Sequence, residues 1–213
     1  MDIHLPLPAA LRQRVQSDES LWAHAVSLLL SPPVVWAIWV YATSLLRSSN
    51  RSSALGFASL FVLSICVAPM LFVAYKVRNG KISDMHMRES NERYIPYSIA
   101  IVAGMATGIV YLNYDAGPVL LMVALVSIVE LTIMLAATFY MKVSLHAMAM
   151  SSIISATTLL FGFAQALFFV PVLLLVVLAR LVLRRHTTLQ IMVGVLIGVL
   201  TPLAVVAAAG LLI

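Results

Sequence analysis

Three short polar stretches in an otherwise apolar chain carry residue types that handle phosphate. They read Lys81-Ile-Ser-Asp-Met-His-Met-Arg88, Lys142-Val-Ser144-Leu-His146, and Arg180-Leu-Val-Leu-Arg-Arg-His186-Thr-Thr-Leu-Gln190. A phosphate ester presents negative charge and several acceptor oxygens, for which arginine offers a planar fork of donors and lysine a compact charge. Phosphoryl transfer asks mostly for positioning and for stabilisation of charge on the equatorial oxygens. Histidines add what cations lack, because a neutral imidazole can attack phosphorus while a protonated one delivers a proton, both with pKa values near operating pH. That chemistry calls for no metal and no other cofactor. Lys and Arg at the ends of apolar segments are expected as interfacial anchors, whereas histidines and a serine beside them are not.

The spacings set geometric conditions. Lys81 and Arg88 are seven apart, which on a helix places both on one face and lets them point at a single anion. His186 and Gln190 are four apart, so a helix starting near Thr187 lets the glutamine reach an imidazole nitrogen. Arg180 and His186 are six apart and share no helical face, so a bend near Arg184 is needed to bring them together.

The elements that must position these residues are membrane helices. Of 213 residues, 62% are hydrophobic and only 10% charged, with a mean hydropathy of +1.05, against roughly 25% charge in a soluble domain. At about 20 apolar residues per crossing the chain holds at most eight or nine helices and no separate soluble domain. The fold class is therefore all-α, a polytopic transmembrane bundle of six to seven spans over 21–213, preceded by a surface tail over 1–20. The expected spans are 21–46, 55–77, 94–113, 118–141, 143–167, 169–183 and 190–213. Ser31-Pro32-Pro33 should kink or break the first. Gly104 with Gly108, and Gly194 with Gly198, set small residues one turn apart for close helix approach. The single cysteine, Cys66, excludes an intramolecular disulfide and a thiolate metal cluster.

The net charge of +5 would suggest nucleic acid in a soluble protein; at the ends of apolar segments it reads as topology and anion binding, with no nucleic-acid partner. Arg12, Arg14, Lys76, Arg78, Lys81, Arg88, Arg93, Lys142, Arg180, Arg184 and Arg185 fall on the side of the N-terminus, and Arg47 and Arg51 on the other, 11 against 2. The positive-inside rule then puts the first group in the cytoplasm. Whatever the orientation, the loops after the second, fourth and sixth spans share one face, and these carry the three polar stretches.

At these residues the chain resembles the type 2 phosphatidic acid phosphatase superfamily. The family pattern is Lys, six residues, Arg-Pro; then Pro-Ser-Gly-His; then Ser-Arg, five residues, His, three residues, Asp. Here Lys81 and Arg88 keep the first spacing with Glu89 in place of proline, Val143-Ser144-Leu145-His146 keeps the serine and histidine of the second, and Ala179-Arg180, His186 and Gln190 keep the third. The resemblance covers roughly residue 76 to the C-terminus. It implies a phosphatase acting on a lipid phosphate or an isoprenoid diphosphate at one membrane face. His186 would be the nucleophile that becomes phosphohistidine, His146 the general acid, and Lys81, Arg88, Ser144 and Arg180 the phosphate cradle. Gln190 stands where the family's acid holds the nucleophile's tautomer; its amide oxygen can accept the imidazole N–H, but being neutral it cannot stabilise an imidazolium. Asp84, Glu89 and Glu92 could supply a replacement acid, and Arg93 could stand in for Arg88.

His4, His24 and His86 lack a partner pattern and read as interfacial or packing residues. Glu130, midway along the fourth span, sits where a carboxyl group marks a pathway, a partner or a neutralised acid. Two alternatives to the enzyme follow. Gln190 favours a non-catalytic protein that binds lipid phosphate, while Glu130 and the broken first span favour a small-molecule transporter.

Overall fold

The computed structural model describes residues 21–210. The expected tail over 1–20, with His4, Arg12 and Arg14, lies outside the described residues. Those described form α1 (Leu21–Leu29), α2 (Pro32–Arg47), α3 (Arg51–Arg78), α4 (Ser90–Asn113), α5 (Pro118–Ala137), α6 (Leu145–Phe161), α7 (Phe163–Val182) and α8 (Thr188–Ala209), with no strand among them. The fold is an all-helical bundle, and several of its helices could cross a membrane. Helices α3, α4, α5, α7 and α8 are long and apolar enough to do so, and α1 with α2, bent by 43° at their junction, makes a sixth if the pair is one span. The bend sits at Ser31, where Pro32 opens α2 without needing an intrahelical N–H partner.

The expected span over 143–167 is shorter than anticipated. Helix α6 ends at Phe161 because Gly162 takes φ +99°, a conformation open to glycine. Helix α7 accordingly starts at Phe163 rather than 169, passing through a 3₁₀ turn at Leu167–Phe169 before its main run. The 17 residues of α6 put it at the lower limit for a crossing.

Helix α6 is also the most enclosed, with His146, Ala147, Met148, Ala149, Met150, Ser151 and Ser152 buried in succession. It is small-residue packing that lets α8 lie against it. A Cβ on Gly194 would come 2.6 Å from the Ser144 carbonyl oxygen, and one on Gly198 would collide with the Met148 carbonyl and the Ser151 hydroxyl. The glycine pair expected to allow close approach thus meets the backbone of α6. In the other pair Gly104 abuts the Ile128 side chain, while Gly108 faces open space.

Helix α3 carries a π-helical turn at Val62–Val67, a feature that shifts side-chain register and often accompanies functional sites. It brings Ile65 and Cys66 inward. The Ser64 hydroxyl bonds the Leu60 carbonyl at 2.6 Å and meets the Thr107 hydroxyl of α4 at 2.8 Å.

Candidate active site

The segments after α3, α5 and α7 meet at one end of the bundle and are tied there by hydrogen bonds. Lys142 Nζ donates to the Arg88 carbonyl at 2.6 Å, Arg185 Nη1 pairs with Asp84 at 2.6 Å, and Arg93 Nη1 donates to the Val143 carbonyl at 3.0 Å. Local chain geometry aims the functional groups. Helix α7 closes with Arg184 at φ +50°, the Arg184 N–H on the Leu181 carbonyl and the Arg185 N–H on the Arg180 carbonyl, the paired bonds of a Schellman motif. This is the bend that the six-residue spacing demanded. It lets Arg180, in the last turn of α7, and His186, just before α8, line the same cavity.

That cavity, of about 190 Å³, is lined at the loop end by His86, Arg93, His146, Arg180 and His186. Phe61, Ile65 and Glu130 line the same cavity. His186 is 7% exposed, and its Nδ1 lies 3.1 Å from the Lys142 carbonyl oxygen. A carbonyl can only accept, so Nδ1 carries the proton and Nε2 of the neutral ring keeps its lone pair. Burial, with the Arg180 and Arg93 charges beside it, pushes the His186 pKa down to about 3, so the ring is neutral at physiological pH. His146 is buried in the first turn of α6 and donates from Nε2 to the Ser27 carbonyl of α1 at 3.0 Å. Arg180 is 2% exposed; its Nη1 donates to the Ser27 hydroxyl at 3.2 Å, and its Nε has no hydrogen-bond partner among the described residues.

The other expected members lie elsewhere. Lys81 and Arg88 are exposed and do not share a helical face, because residues 79–89 form a loop of turns and bends. Gly80 at φ +65° stops α3, Met87 turns at φ +52°, and Glu92 clasps the loop by accepting from the Ser83 N–H at 2.6 Å and its hydroxyl at 2.8 Å. Lys81 lines a separate surface recess with Phe72 and Lys76. Ser144 is fully buried and caps α6, its hydroxyl accepting from Ala147 N–H at 3.4 Å. Gln190 caps α8, its Oε1 accepting from Thr187 N–H at 3.1 Å, and the Lys142 carbonyl takes the position on His186 that the glutamine was expected to occupy. Asp84 does not replace it either: it pairs with Arg185 and accepts from His86 N–H at 2.7 Å. Burial raises its pKa, but these bonds outweigh it and hold the carboxyl below its ordinary range.

Two residues join the site that the motifs did not include. Arg93 is 3% exposed and lines the cavity where Arg88 does not. His86 stacks on His146 with ring centroids 5.5 Å apart and planes 25° from parallel; burial and the nearby Arg180 charge lower its pKa. The available signal for His86 was its place in a loop on the same face as the other two histidines. Among the described residues no group of three His, Cys, Asp or Glu side chains is arranged to hold a metal ion. No family model matches the chain, and no curated protein or solved structure is significantly similar to it.

Proposed function

We propose that this protein is a membrane phosphatase that hydrolyses a lipid phosphate or an isoprenoid diphosphate through a phosphohistidine on His186, in the manner of the type 2 phosphatidic acid phosphatases it resembles in sequence. The observation that carries this reading is Arg180, a buried guanidinium with an unpartnered Nε and no carboxylate paired with it among the described residues. A buried cation is stable only when it is compensated, and a phosphate in the cavity supplies that compensation. Arg93 and the two histidines border the same space.

The phosphate displaces the Ser27 hydroxyl from Arg180 and takes donors from Arg180 and Arg93. Nε2 of His186 attacks phosphorus, the bond from phosphorus to the lipid oxygen breaks, and the departing oxygen takes a proton from His146. The bound phosphate's negative charge favours a protonated imidazole beside it. Water then attacks the phosphorus of the phosphohistidine, His146 accepts the water proton, the P–N bond breaks, and inorganic phosphate leaves. The Lys142 carbonyl keeps Nδ1 protonated throughout the first step. By the 11 to 2 charge split this end of the bundle faces the cytoplasm, with the lipid chains among the helices. Reporters fused to the two ends locate them: an N-terminus outside the cytoplasm overturns that orientation.

The decisive experiment is phosphate release by purified protein in detergent across phosphatidate, phosphatidylglycerophosphate and polyprenyl phosphates and diphosphates, with chemical trapping of an acid-labile phosphoenzyme. Release from none of them sinks the enzymatic reading. A second reading then takes over, a protein that binds lipid phosphate without turning it over, favoured by the absence of Lys81 and Arg88 from the cavity and of any carboxylate on His186.

A further inference from the structure

A single residue of α1, Ser27, covers both of the groups that the phosphatase reading gives to the phosphate and the departing oxygen. Its hydroxyl accepts from Arg180 Nη1 at 3.2 Å and its carbonyl from His146 Nε2 at 3.0 Å. While both bonds stand, neither donor is free for a substrate. The Ser27 carbonyl is open to the histidine because of the break after α1. There the Ser31 N–H turns to the Leu28 carbonyl at 3.2 Å in place of the carbonyl four residues back, and Pro32 and Pro33 bring no N–H to the helix end.

The two sides of that break are held differently. Helix α2 is pinned to α6 by the Trp39 indole N–H, which donates to the Thr157 hydroxyl at 2.9 Å with both residues buried. Helix α1 instead buries Ala23 and Ser27, two small residues four apart on one face, and leaves Leu21, Leu28 and Leu29 exposed. Val26 and Leu30 pack against the core only partly buried. Lifting α1 therefore uncovers little apolar surface. The cavity also reaches the junction, where Leu28, Ser31, Pro32 and Pro33 line it, and a double-proline break already bent by 43° is a place where a span hinges.

We propose that α1 is a lid whose Ser27 closes the phosphate site of the resting protein, and that a lipid phosphate binds by displacing it as α1 swings about residues 31–33. This rests on the phosphatase reading and adds its regulation. An anionic phosphate oxygen is a stronger acceptor for a guanidinium than a neutral hydroxyl is, so the ligand opens what the resting contacts keep shut. A site that is mostly closed binds with its affinity reduced by the open fraction. Weakening the lid must then tighten binding.

The test measures the movement and its effect on affinity, with the non-hydrolysable phosphonate analogue of phosphatidate as the probe. Spin labels are placed at Leu21→Cys and Ile38→Cys, exposed positions on either side of the break, in a Cys66→Ser background. Leu21 is ten residues from Ser31 and Ser27 only four, so a swing of about 2 Å at Ser27 becomes about 5 Å at Leu21. Adding the probe should change the label separation by about that much. Ser27→Ala, which removes the hydroxyl tether, should bind the probe about 10-fold more tightly than the native protein. Ser27→Asp, whose carboxylate pairs with Arg180, should bind it about 10-fold more weakly. An unchanged separation, no binding of the probe, or an aspartate variant that binds as tightly as native overturns the lid. So does a Ser27→Ala variant that binds equally or more weakly, and weaker binding would make Ser27 a substrate contact. Phosphate release without the movement overturns the lid and leaves the phosphatase standing; movement without release does the reverse.

Discussion

The loop after α3 and the turn after α7 stand at the same end of the bundle and are rich in the same cations, yet they use them oppositely. Residues 79–89 leave Lys81 and Arg88 exposed, while the turn after α7 buries Arg180 and His186 against the cavity. The difference lies in what holds each backbone. Arg180 sits in the last turn of a helix, where the side chain's direction is fixed by the helix itself, and the left-handed Arg184 then folds His186 back beside it. The first loop is tied instead by its own polar groups, with Glu92 holding Ser83 and Asp84 holding His86 and Arg185. Its long cationic side chains are left in solvent, where Arg88 contributes only a backbone carbonyl to Lys142. Equal spacing in sequence is therefore not equal placement, and a motif's cations matter only where a helix end or a tight turn aims them.

The largest effect that follows is on turnover. His186→Ala removes the nucleophile and should lower kcat by at least about 10⁴-fold while abolishing phosphoenzyme. Arg180→Ala should cost about 10³-fold, as expected for a buried donor to the transferring phosphoryl group. Lys81→Ala in the first loop should stay within about threefold of the native rate, since an exposed cation contributes little. A severe Lys81→Ala with a mild Arg180→Ala, measured as phosphate release, would reverse the comparison between the two segments.

A second pair of arginines sharpens it. Arg93 and Arg88 are five residues apart, one buried in the cavity wall and held to the Val143 and Met87 carbonyls, the other exposed. Arg93→Ala should lower kcat/KM by about 10²-fold, by loss of one charge-assisted phosphate contact. Arg88→Ala should change it less than threefold, because the bond from Lys142 uses the main chain.

These pairs also mark where the sequence was legible. Composition and apolar run lengths gave away the membrane bundle, and the double proline located the break between α1 and α2. The bend at Arg184 followed from one spacing, since positions six apart cannot share a helical face. What could not be read was loop conformation: the assumption that Lys81 and Arg88 lie on a helix failed at Gly80 and Met87, and only the folded loop shows Arg93 turned inward. Backbone partners were equally invisible, because the Lys142 carbonyl on His186 has no side-chain signature. The stack of His86 on His146 depends on chains folded from distant segments, as does the covering of both Arg180 and His146 by Ser27.

The protonation of His186 provides a third, smaller contrast. Its folded pKa of about 3 lies below the ordinary histidine value, so below about pH 6.5 the unfolded chain binds the proton and the folded protein resists it. This contribution to stability is complete above that pH and is lost progressively as pH falls from 6.5 toward 3. By pH 5.5 the loss amounts to about 1.4 kcal/mol. Thermal unfolding in detergent should therefore show a steeper acid loss for the native protein than for His186→Asn, whereas Arg88→Ala should follow the native curve. Parallel curves for native and His186→Asn would mean that the imidazole is not held neutral by its surroundings.

The smallest effect should come from Gln190, although its position matches the family's catalytic acid. Its Oε1 accepts from Thr187 N–H at 3.1 Å while the Thr187 hydroxyl accepts from Gln190 N–H at 3.3 Å, a reciprocal cap on α8. Gln190→Leu breaks half of that cap and should cost about 0.5–1 kcal/mol in stability, with phosphate release within about twofold of native because Lys142 still fixes the His186 tautomer. Gln190→Asp keeps an acceptor and adds negative charge at a helix N-terminus, which is stabilising by about 0.3–1 kcal/mol. If Gln190 instead swings onto His186 in the working enzyme, the two substitutions diverge in activity: the leucine variant loses turnover by orders of magnitude, and the aspartate variant moves the acid limb of the pH profile upward, because a nearby negative charge favours the imidazolium. Measuring release against pH for both variants separates a helix cap from an orienting residue, and the turn after α7 would then hold its nucleophile by a side chain and not by the neighbouring backbone.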